Sequence, residues 1–476
     1  MFAMDAQDRR IPYAPRVREL EGAPAPTEAL VRLAASEPDF RGVLLHSGGG
    51  RPARWSLLGP SPVLDLSATG ANTMAAALDL LEEALGCLDP LPGDPIPGPF
   101  HGGFLGALSY DLGVRGARLD LPADLAPEPF AQPRLVGGLF TDFLVWDHAE
   151  QRAWLVTADE AAAERLAAAL AREVGAPPTR LVAPFERATP PPEHRARVDA
   201  LRASIRAGDL YQANLSHRLT GRLSGTPEAA YRDLAASNPV PYGGFARFAG
   251  GALLSASMEL LVEVDPRDAR PRCARTRPIK GTVRRGVDPD EDERLAAGLL
   301  ASAKDRAELA MIVDLERNDL GRVARTGGVT VPVFPRLESY ASVHHLVADV
   351  EAELAEGVTT ADVLAALFPG GSITGAPKLA SMERIAELEG SRRGFFTGSL
   401  GFVDHRGAAS LNILIRSPLW RDLPAGEAGP EGELSLAVGG GITWASDAAA
   451  EDEETLHKAA SLLGCFHEPA SLGDAT

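Results

Sequence analysis

The sequence predicts an α+β fold, and three observations predict it. Residues 1–175 mix short strands of alternating polarity with alanine-rich helices, ending in a helical stretch from Ala161 to Val174. From His194 onward helices and strands alternate without a clear break until Gly464. A chain of 476 residues with 45% apolar and 24% charged residues has a globular composition and the length for two or three domain-sized units. Between the two regions, residues 176–193 carry Pro190-Pro191-Pro192 and read as a proline-rich linker. The expected organisation is an N-terminal region over 1–175, the linker over 176–193, and a second domain over 194–466. A polar insert from Arg421 to Glu433 reads as an exposed hairpin loop.

Alternation assigns faces to the strands of the second region. In Leu210 to Leu219, Tyr211, Ala213, Leu215 and Leu219 share one face, and Gln212, Asn214, Ser216 and Arg218 share the other. Leu253 to Val264 reads as a strand with Ser255, Ser257 and Glu259 on one side. Leu411 to Arg416 buries Leu411, Ile413 and Ile415 and turns Asn412 and Arg416 away. A half-polar strand ordinarily faces water. Three of them in one domain also suit a polar-lined cavity.

Charge and cysteine usage exclude several roles. A formal charge of −18 argues against nucleic acid or an anionic membrane as the main partner. Cys87, Cys273 and Cys465 are far apart and follow no metal-ligand spacing, which points to a reducing compartment. Met1 to Arg10 is polar, and no apolar run reaches the length of a membrane span, so the cytoplasm is the expected location.

Among 47 lysines and arginines only Lys280, Lys304, Lys378 and Lys458 are lysine. Arginine stays protonated, whereas a desolvated lysine becomes a neutral amine nucleophile. The surviving lysines are therefore candidates for chemistry, against the plain reading of surface charges retained by chance. Lys280 stands in Arg275-Thr276-Arg277-Pro278-Ile279-Lys280-Gly281-Thr282, where proline and glycine restrict the backbone on either side. Arg275 and Arg277 are the neighbours expected to lower its pKa.

Asp305 and Glu308 are three apart in a helix expected from about Ala303 to Arg322. Glu451, Glu454 and Lys458 share one face of another, closed by Gly464. Two such carboxylate pairs suit a hard divalent cation, although an acidic residue at a helix start also simply matches the helix dipole. Gly370 to Lys378 leads into a helix, where free N–H groups hold anions. The strand Leu434 to Val438 runs into Gly439-Gly440-Gly441, where missing side chains admit a ligand to the backbone.

Together these segments resemble the chorismate-utilising family, which includes anthranilate synthase and aminodeoxychorismate synthase large components, isochorismate synthases and salicylate synthases. The likeness covers nearly the whole chain. It includes Leu44-Leu45-His46-Ser47, Gly102 to Gly106, Tyr110-Asp111, Asp314 to Arg322, the Gly370 to Lys378 turn and Gly439 to Lys458. The resemblance implies two antiparallel β-sheets packed as a sandwich, with helices outside and an active cleft between two intertwined halves. Pro278-Ile279-Lys280-Gly281-Thr282 resembles the aminodeoxychorismate synthase branch, where anthranilate and isochorismate synthases resemble Pro-Ile-Ala-Gly-Thr. Gln212 stands where water-adding members carry a base lysine, and Phe396 where anthranilate synthases carry tyrosine.

For site residues the resemblance implies Lys280 as covalent nucleophile and Glu259 as general acid/base, with His345 and Gln212 beside them. Glu308, Glu454, Glu451 and Asp305 would hold Mg2+. Arg416, Thr282, Thr374, Gly375, Gly439, Gly440 and Lys458 would bind chorismate. Some relatives hold tryptophan in a pocket that here would fall near Ser47, Arg54, Trp55, Pro241 and Tyr242. The family's Ser-Pro-Glu-Arg-Phe reads Ser257-Met258-Glu259-Leu260-Leu261, keeping the glutamate and losing the arginine. No Gly-x-Cys-x-Gly glutaminase motif is present, so ammonia is expected from a separate glutamine amidotransferase subunit. Anthranilate synthase component I is the alternative reading.

Overall fold

The computed structural model describes residues 10–466 apart from 49–53, 68–69, 117–118, 120–124, 127–129, 131, 176–178, 341–342 and 427–428. Most of the polar start of the chain, and the first three residues of the expected linker, lie outside the described residues. Two large antiparallel sheets dominate, of twelve and ten strands among the described residues. The twelve-stranded sheet places Gln212–Ser224 beside Gly429–Ile442 and continues through Gly243–Phe248 to Val43–His46 and Trp55–Gly59. The ten-stranded sheet runs from Ile279–Arg284 and Val343–Leu354 to Ser399–Asp404 and Gly103–Leu108. Each sheet mixes strands from both halves of the sequence.

The sheets pack face to face through one apolar cluster, which takes Val43, Ala246 and Leu253 from one sheet and Leu105, Val136 and Phe402 from the other. Helices cover both outer faces. Leu309, Val313 and Leu320 of the Ala303–Gly321 helix pack on the smaller sheet, and Leu462 and Leu463 of the Ala448–Leu463 helix pack on the larger. The expected sandwich with helices outside is the observed fold. No helix among the described residues is long and apolar enough to cross a membrane.

Three expectations change. Within 176–193, Arg180–Arg187 is a strand paired with Gln212–Ser224, and Pro191 opens the Pro191–Ala207 helix. Alternating exposure in this edge strand (buried positions are never complete) left no strong apolar signal, and prolines suit a helix's first turn as well as a linker. The polar insert is not a loop but the body of a hairpin, pairing Arg421 with Glu433 and Leu423 with Glu431. Leu253 to Val264 is not one strand: Gly251–Ser255 belongs to the larger sheet and Leu260–Val264 to the smaller. Ala409–Asn412 and Leu419–Gly426 repeat that switch from smaller sheet to larger.

The two crossings run side by side. Ile413 N–H donates to Glu259 O at 2.9 Å, and Ala256 N–H donates to Arg416 O at 3.1 Å. Ser257 Oγ donates to Ile413 O at 2.6 Å. Backbone groups lost to the sheets at the switch are thus satisfied by the neighbouring crossing.

Gly432 lies against the ring of Trp420, a tryptophan only 1% exposed. An alanine there overlaps the indole, so Gly432→Ala should lower stability by roughly 1–3 kcal/mol, the usual cost of overpacking. Thermal unfolding reads this out, and an unchanged midpoint would mean the hairpin behaves as the exposed loop first expected.

Candidate active site

A cavity of about 650 Å³ opens where the crossings meet the ends of both sheets. Lys280 reaches it from Ile279–Arg284, a strand whose register slips at Gly281, where φ is +77°. A β-bulge re-aims neighbouring side chains, and here Lys280 and Thr282 both line the cavity. Gly281 also packs beneath Asp305, which a Cβ would meet at 2.9 Å. The first crossing delivers Glu259 and the second Arg416, itself at φ +52°.

Among the described residues Lys280 Nζ has one weak hydrogen bond, to Ser372 O at 3.5 Å. Burial lowers its pKa; Glu259 and Glu308 oppose the shift and Lys458 adds to it. Arg275 and Arg277 do not take the part expected of them. Arg275 is bound to Asp265, and Arg277 pairs with Glu338 and Asp349. Alternation in the strand before Pro278 points both away from the amine.

Glu259 is buried with Oε1 unpartnered, and burial raises its pKa against Ser372 and Lys280. A carboxyl so placed favours its protonated form. Behind it, Glu316 is pushed up to about 8 by burial and accepts from Thr276 Oγ1. Glu316 sits in the Asp314 to Arg322 motif, which gave the only sequence signal for it. His345 shares a hydrogen bond of 2.9 Å with Thr282 Oγ1 through Nδ1 and leaves Nε2 buried and free. Its pKa falls to about 4, through burial and then through Arg416, so the ring is neutral at physiological pH.

Arg416 lines the cavity with no hydrogen bond or ion pair to its guanidinium among the described residues, and burial lowers its pKa. A covered, unpaired guanidinium is poised for a carboxylate. Gly439, Gly440 and Gly441 line the opposite wall as strand rather than turn, paired with Ser216, Leu215 and Asn214. A Cβ on Gly440 would stand 3.1 Å from Glu451 Oε2, and one on Gly441 2.5 Å from Gln212 Nε2.

Asp305, Glu308, Glu451 and Glu454 all line the cavity, from two helices. Burial raises Glu308 and Glu451, with Asp305 and Glu454 adding to Glu308. Burial also raises Glu454, but Lys458 at 2.8 Å outweighs it and the net shift is downward. No three of these carboxylates close to within 4.8 Å among the described residues. Four oxygen donors in an open ring suit a hard cation that keeps part of its water shell.

Other expected residues fall elsewhere. Thr374 is fully buried and donates to Gly370 O at 2.8 Å, and Gly375 pairs with Ala213; neither lines the cavity, to which that turn contributes Ser372 and Ile373. Gln212 lies behind Gly441, 1% exposed, with Oε1 unpartnered. Lys378 turns beneath the turn to pair with Asp319 at 2.6 Å. Lys304, which had no claim from its sequence setting, lines the cavity beside Glu308. A second cavity of about 510 Å³ is lined by Arg54, Trp55, Pro241 and Tyr242 of the five expected tryptophan-pocket residues. Ser47 is buried outside its lining, its N–H donating to Ser56 Oγ.

A sandwich whose crossings between sheets deliver a carboxyl and an unpaired arginine, and whose bulged strand delivers a lysine, into one cleft defines a class of enzyme. The chain belongs to the chorismate binding enzyme family, which matches residues 44–464. It is 38% identical to anthranilate synthase component 1 of Streptomyces coelicolor, over 93% of this chain and 87% of that one. It is 36% identical to aminodeoxychorismate synthase component 1 of Salmonella typhimurium, over 88% and 92% respectively. Its fold superimposes on anthranilate synthase component I from Streptococcus pneumoniae with a TM-score of 0.71 at 28% identity, covering 87% of this chain and 93% of that one.

Lowered basicity should show in acylation by an amine-selective reagent. The pH dependence of Lys280 labelling, followed by mass spectrometry, should have its midpoint below that of the exposed Lys304 in the same digest. Coincident profiles would contradict the depressed pKa.

Proposed function

We propose that this enzyme is an aminodeoxychorismate synthase component I, replacing the C4 hydroxyl of chorismate with an amino group to give 4-amino-4-deoxychorismate, a precursor of 4-aminobenzoate and folate. The observation that carries the reading is Lys280 itself, an amine of lowered pKa opening on the cavity with only Ser372 O as a weak partner. The Lys280 Nζ–C2 bond forms as the C4–O bond breaks, and the hydroxyl leaves as water with the proton of the Glu259 carboxyl. Ammonia then bonds to C4 as the Nζ–C2 bond breaks, and the Lys280 amine departs neutral. The new C4 ammonium returns its proton to Glu259, so the cycle consumes ammonia and releases water. Burial of Glu259 favours the protonated start.

Arg416 receives one substrate carboxylate in bidentate fashion, and the free His345 Nε2 faces the same space. Glu308 and Glu454, with Glu451 and Asp305 beside them, are the Mg2+ ligands in this reading. The ion neutralises the second substrate carboxylate when bound. Lys458 orients Glu454 and holds Gly439 O at 3.0 Å. The chain lacks a glutaminase nucleophile, so a separate glutamine amidotransferase subunit supplies ammonia. The cavity beside Trp55 is the place for the tryptophan that the resemblance implies.

Identity of 38% to an anthranilate synthase favours a second reading, release of pyruvate and 2-aminobenzoate. Chromatography of products from chorismate, ammonium and Mg2+ separates the two: 4-amino-4-deoxychorismate supports the proposal and 2-aminobenzoate overturns it. Lys280→Ala should abolish the 4-amino product, and retention of it would remove the covalent step. Arg416→Met should raise KM by about ten- to hundredfold, the equivalent of roughly 1.5–3 kcal/mol for hydrogen bonds to a charged group. With glutamine in place of ammonium, the isolated chain should be inactive.

A further inference from the structure

A second cluster of ionisable groups lies one residue away from the carboxylate ring. Asp452 stands between Glu451 and Glu454 on the Ala448–Leu463 helix, yet it is 2% exposed and faces away from the cavity. Its carboxylate accepts from Arg187 Nη2, from His194 Nδ1 at 2.8 Å and from Arg195 Nε at 3.4 Å. One turn on, Thr455 Oγ1 donates to Asp452 O at 2.7 Å and lies 2.7 Å from His217 Nε2. A hydroxyl that has given its proton away must accept from the imidazole, so His217 carries its hydrogen on Nε2. His194 likewise carries its hydrogen on Nδ1, toward the carboxylate. The two rings meet edge to face at 4.9 Å. His194 Nε2 and His217 Nδ1, the acceptor nitrogens in these tautomers, are buried without partners among the described residues.

These groups come from three different elements. Arg187 ends the Arg180–Arg187 strand, His194 lies in the first turns of the Pro191–Ala207 helix, and His217 belongs to Gln212–Ser224. Each grips the same helix, on a face next to the one that carries the cavity residues. Successive helical residues are turned by about 100°, so the angle of Asp452 dictates the angles of Glu451 and Glu454. We propose that Arg187, His194 and His217 are positioning residues that, through Asp452 and Thr455, set the rotation of the helix presenting Glu451, Glu454 and Lys458. The inference rests on the metal reading given above for those glutamates.

His194, His217 and Asp452 also form a group whose possible ligand atoms lie within 4.8 Å of one another. A cation among them would meet the Arg187 guanidinium already bonded to Asp452, whose positive charge opposes it. Burial lowers the pKa of both imidazoles, that of His217 to about 3 and that of His194 against the opposing pull of Asp452. The network therefore sets the Asp452 carboxylate against the buried Arg187 guanidinium and the more exposed Arg195, with His194 as a further donor.

The test is calorimetric binding of Mg2+ alone to the purified chain, paired with kcat at saturating Mg2+. His194→Leu should weaken Mg2+ binding by about tenfold, the low end for losing an outer support of a metal site, with kcat at saturating Mg2+ within twofold. His194→Asn, which keeps a donor where Nδ1 stands, should restore the affinity. His217→Leu and His217→Gln should behave as a second such pair, and Arg187→Met provides a third reading if a leucine variant does not fold. Unchanged Mg2+ affinity in a folded variant overturns the proposal, as does stoichiometric zinc binding that His194→Leu abolishes. If the unsubstituted chain itself binds no Mg2+, the metal assignment of the glutamates fails first and this inference falls with it.

Discussion

The constraint on which the rest depends is the paired crossing between the two sheets. Chain segments 256–259 and 413–418 both leave one sheet for the other, and each must satisfy the backbone groups it gives up. They do so on one another, through Ile413 N–H to Glu259 O and Ala256 N–H to Arg416 O. That mutual bonding fixes where Glu259 and Arg416 emerge. Neither belongs to a strand, yet both are as firmly placed as strand residues, because the crossings are locked between two packed sheets.

Several polar groups in and beside the cleft carry a deficit of ordinary partners. Lys280 is held weakly, Arg416 is unpaired, and Glu259 Oε1, Gln212 Oε1 and His345 Nε2 are buried without hydrogen bonds. Buried polar groups are normally satisfied, and each exception costs free energy. Such a concentration in one cleft is the signature of a site whose missing partners are a ligand's atoms. The protonation states agree with it: burial drives the lysine toward neutrality and the glutamate toward its acid form, the pairing an amine attack with assisted departure of hydroxyl requires. The same helix that supplies Glu451 and Glu454 is tied on its adjacent face by the ion pair of Asp452 with Arg187.

Much of this was legible in the chain. Lysine scarcity singled out four residues, of which Lys280, Lys304 and Lys458 line the cleft and Lys378 does not, and helical spacing paired Asp305 with Glu308. Alternation failed over Leu411 to Arg416, where the strand ends at Asn412 and Ile415 lines the cleft beside Arg416. What failed did so for identifiable reasons. Thr374 and Gly375 sit in a motif whose backbone is tied to Gly370 and Ala213, so the motif's position did not reveal which of its residues face the cleft. Arg275 and Arg277 are near Lys280 in sequence but belong to the other face of their strand. Lys304 reaches the cavity from the same helix turn as Asp305 and Glu308, four positions before Glu308.

The sequence by itself determined which side chains share a helix face, and a strand face within an unbroken strand such as Gln212–Ser224, because periods of 3.6 and 2 are local properties of the backbone. It also carried the residue types, one amine and several carboxylates, that limit the chemistry. Only the tertiary structure decided which faces meet. The switch of strands between sheets, the strand within the supposed linker, and the burial that resets the pKa values of Lys280 and Glu259 all depend on contacts between residues distant in sequence, as Arg180 is from Ser224 and Glu259 from Ile413. Local pattern carries no record of such contacts, since hydrogen bonding and desolvation respond to neighbours in space.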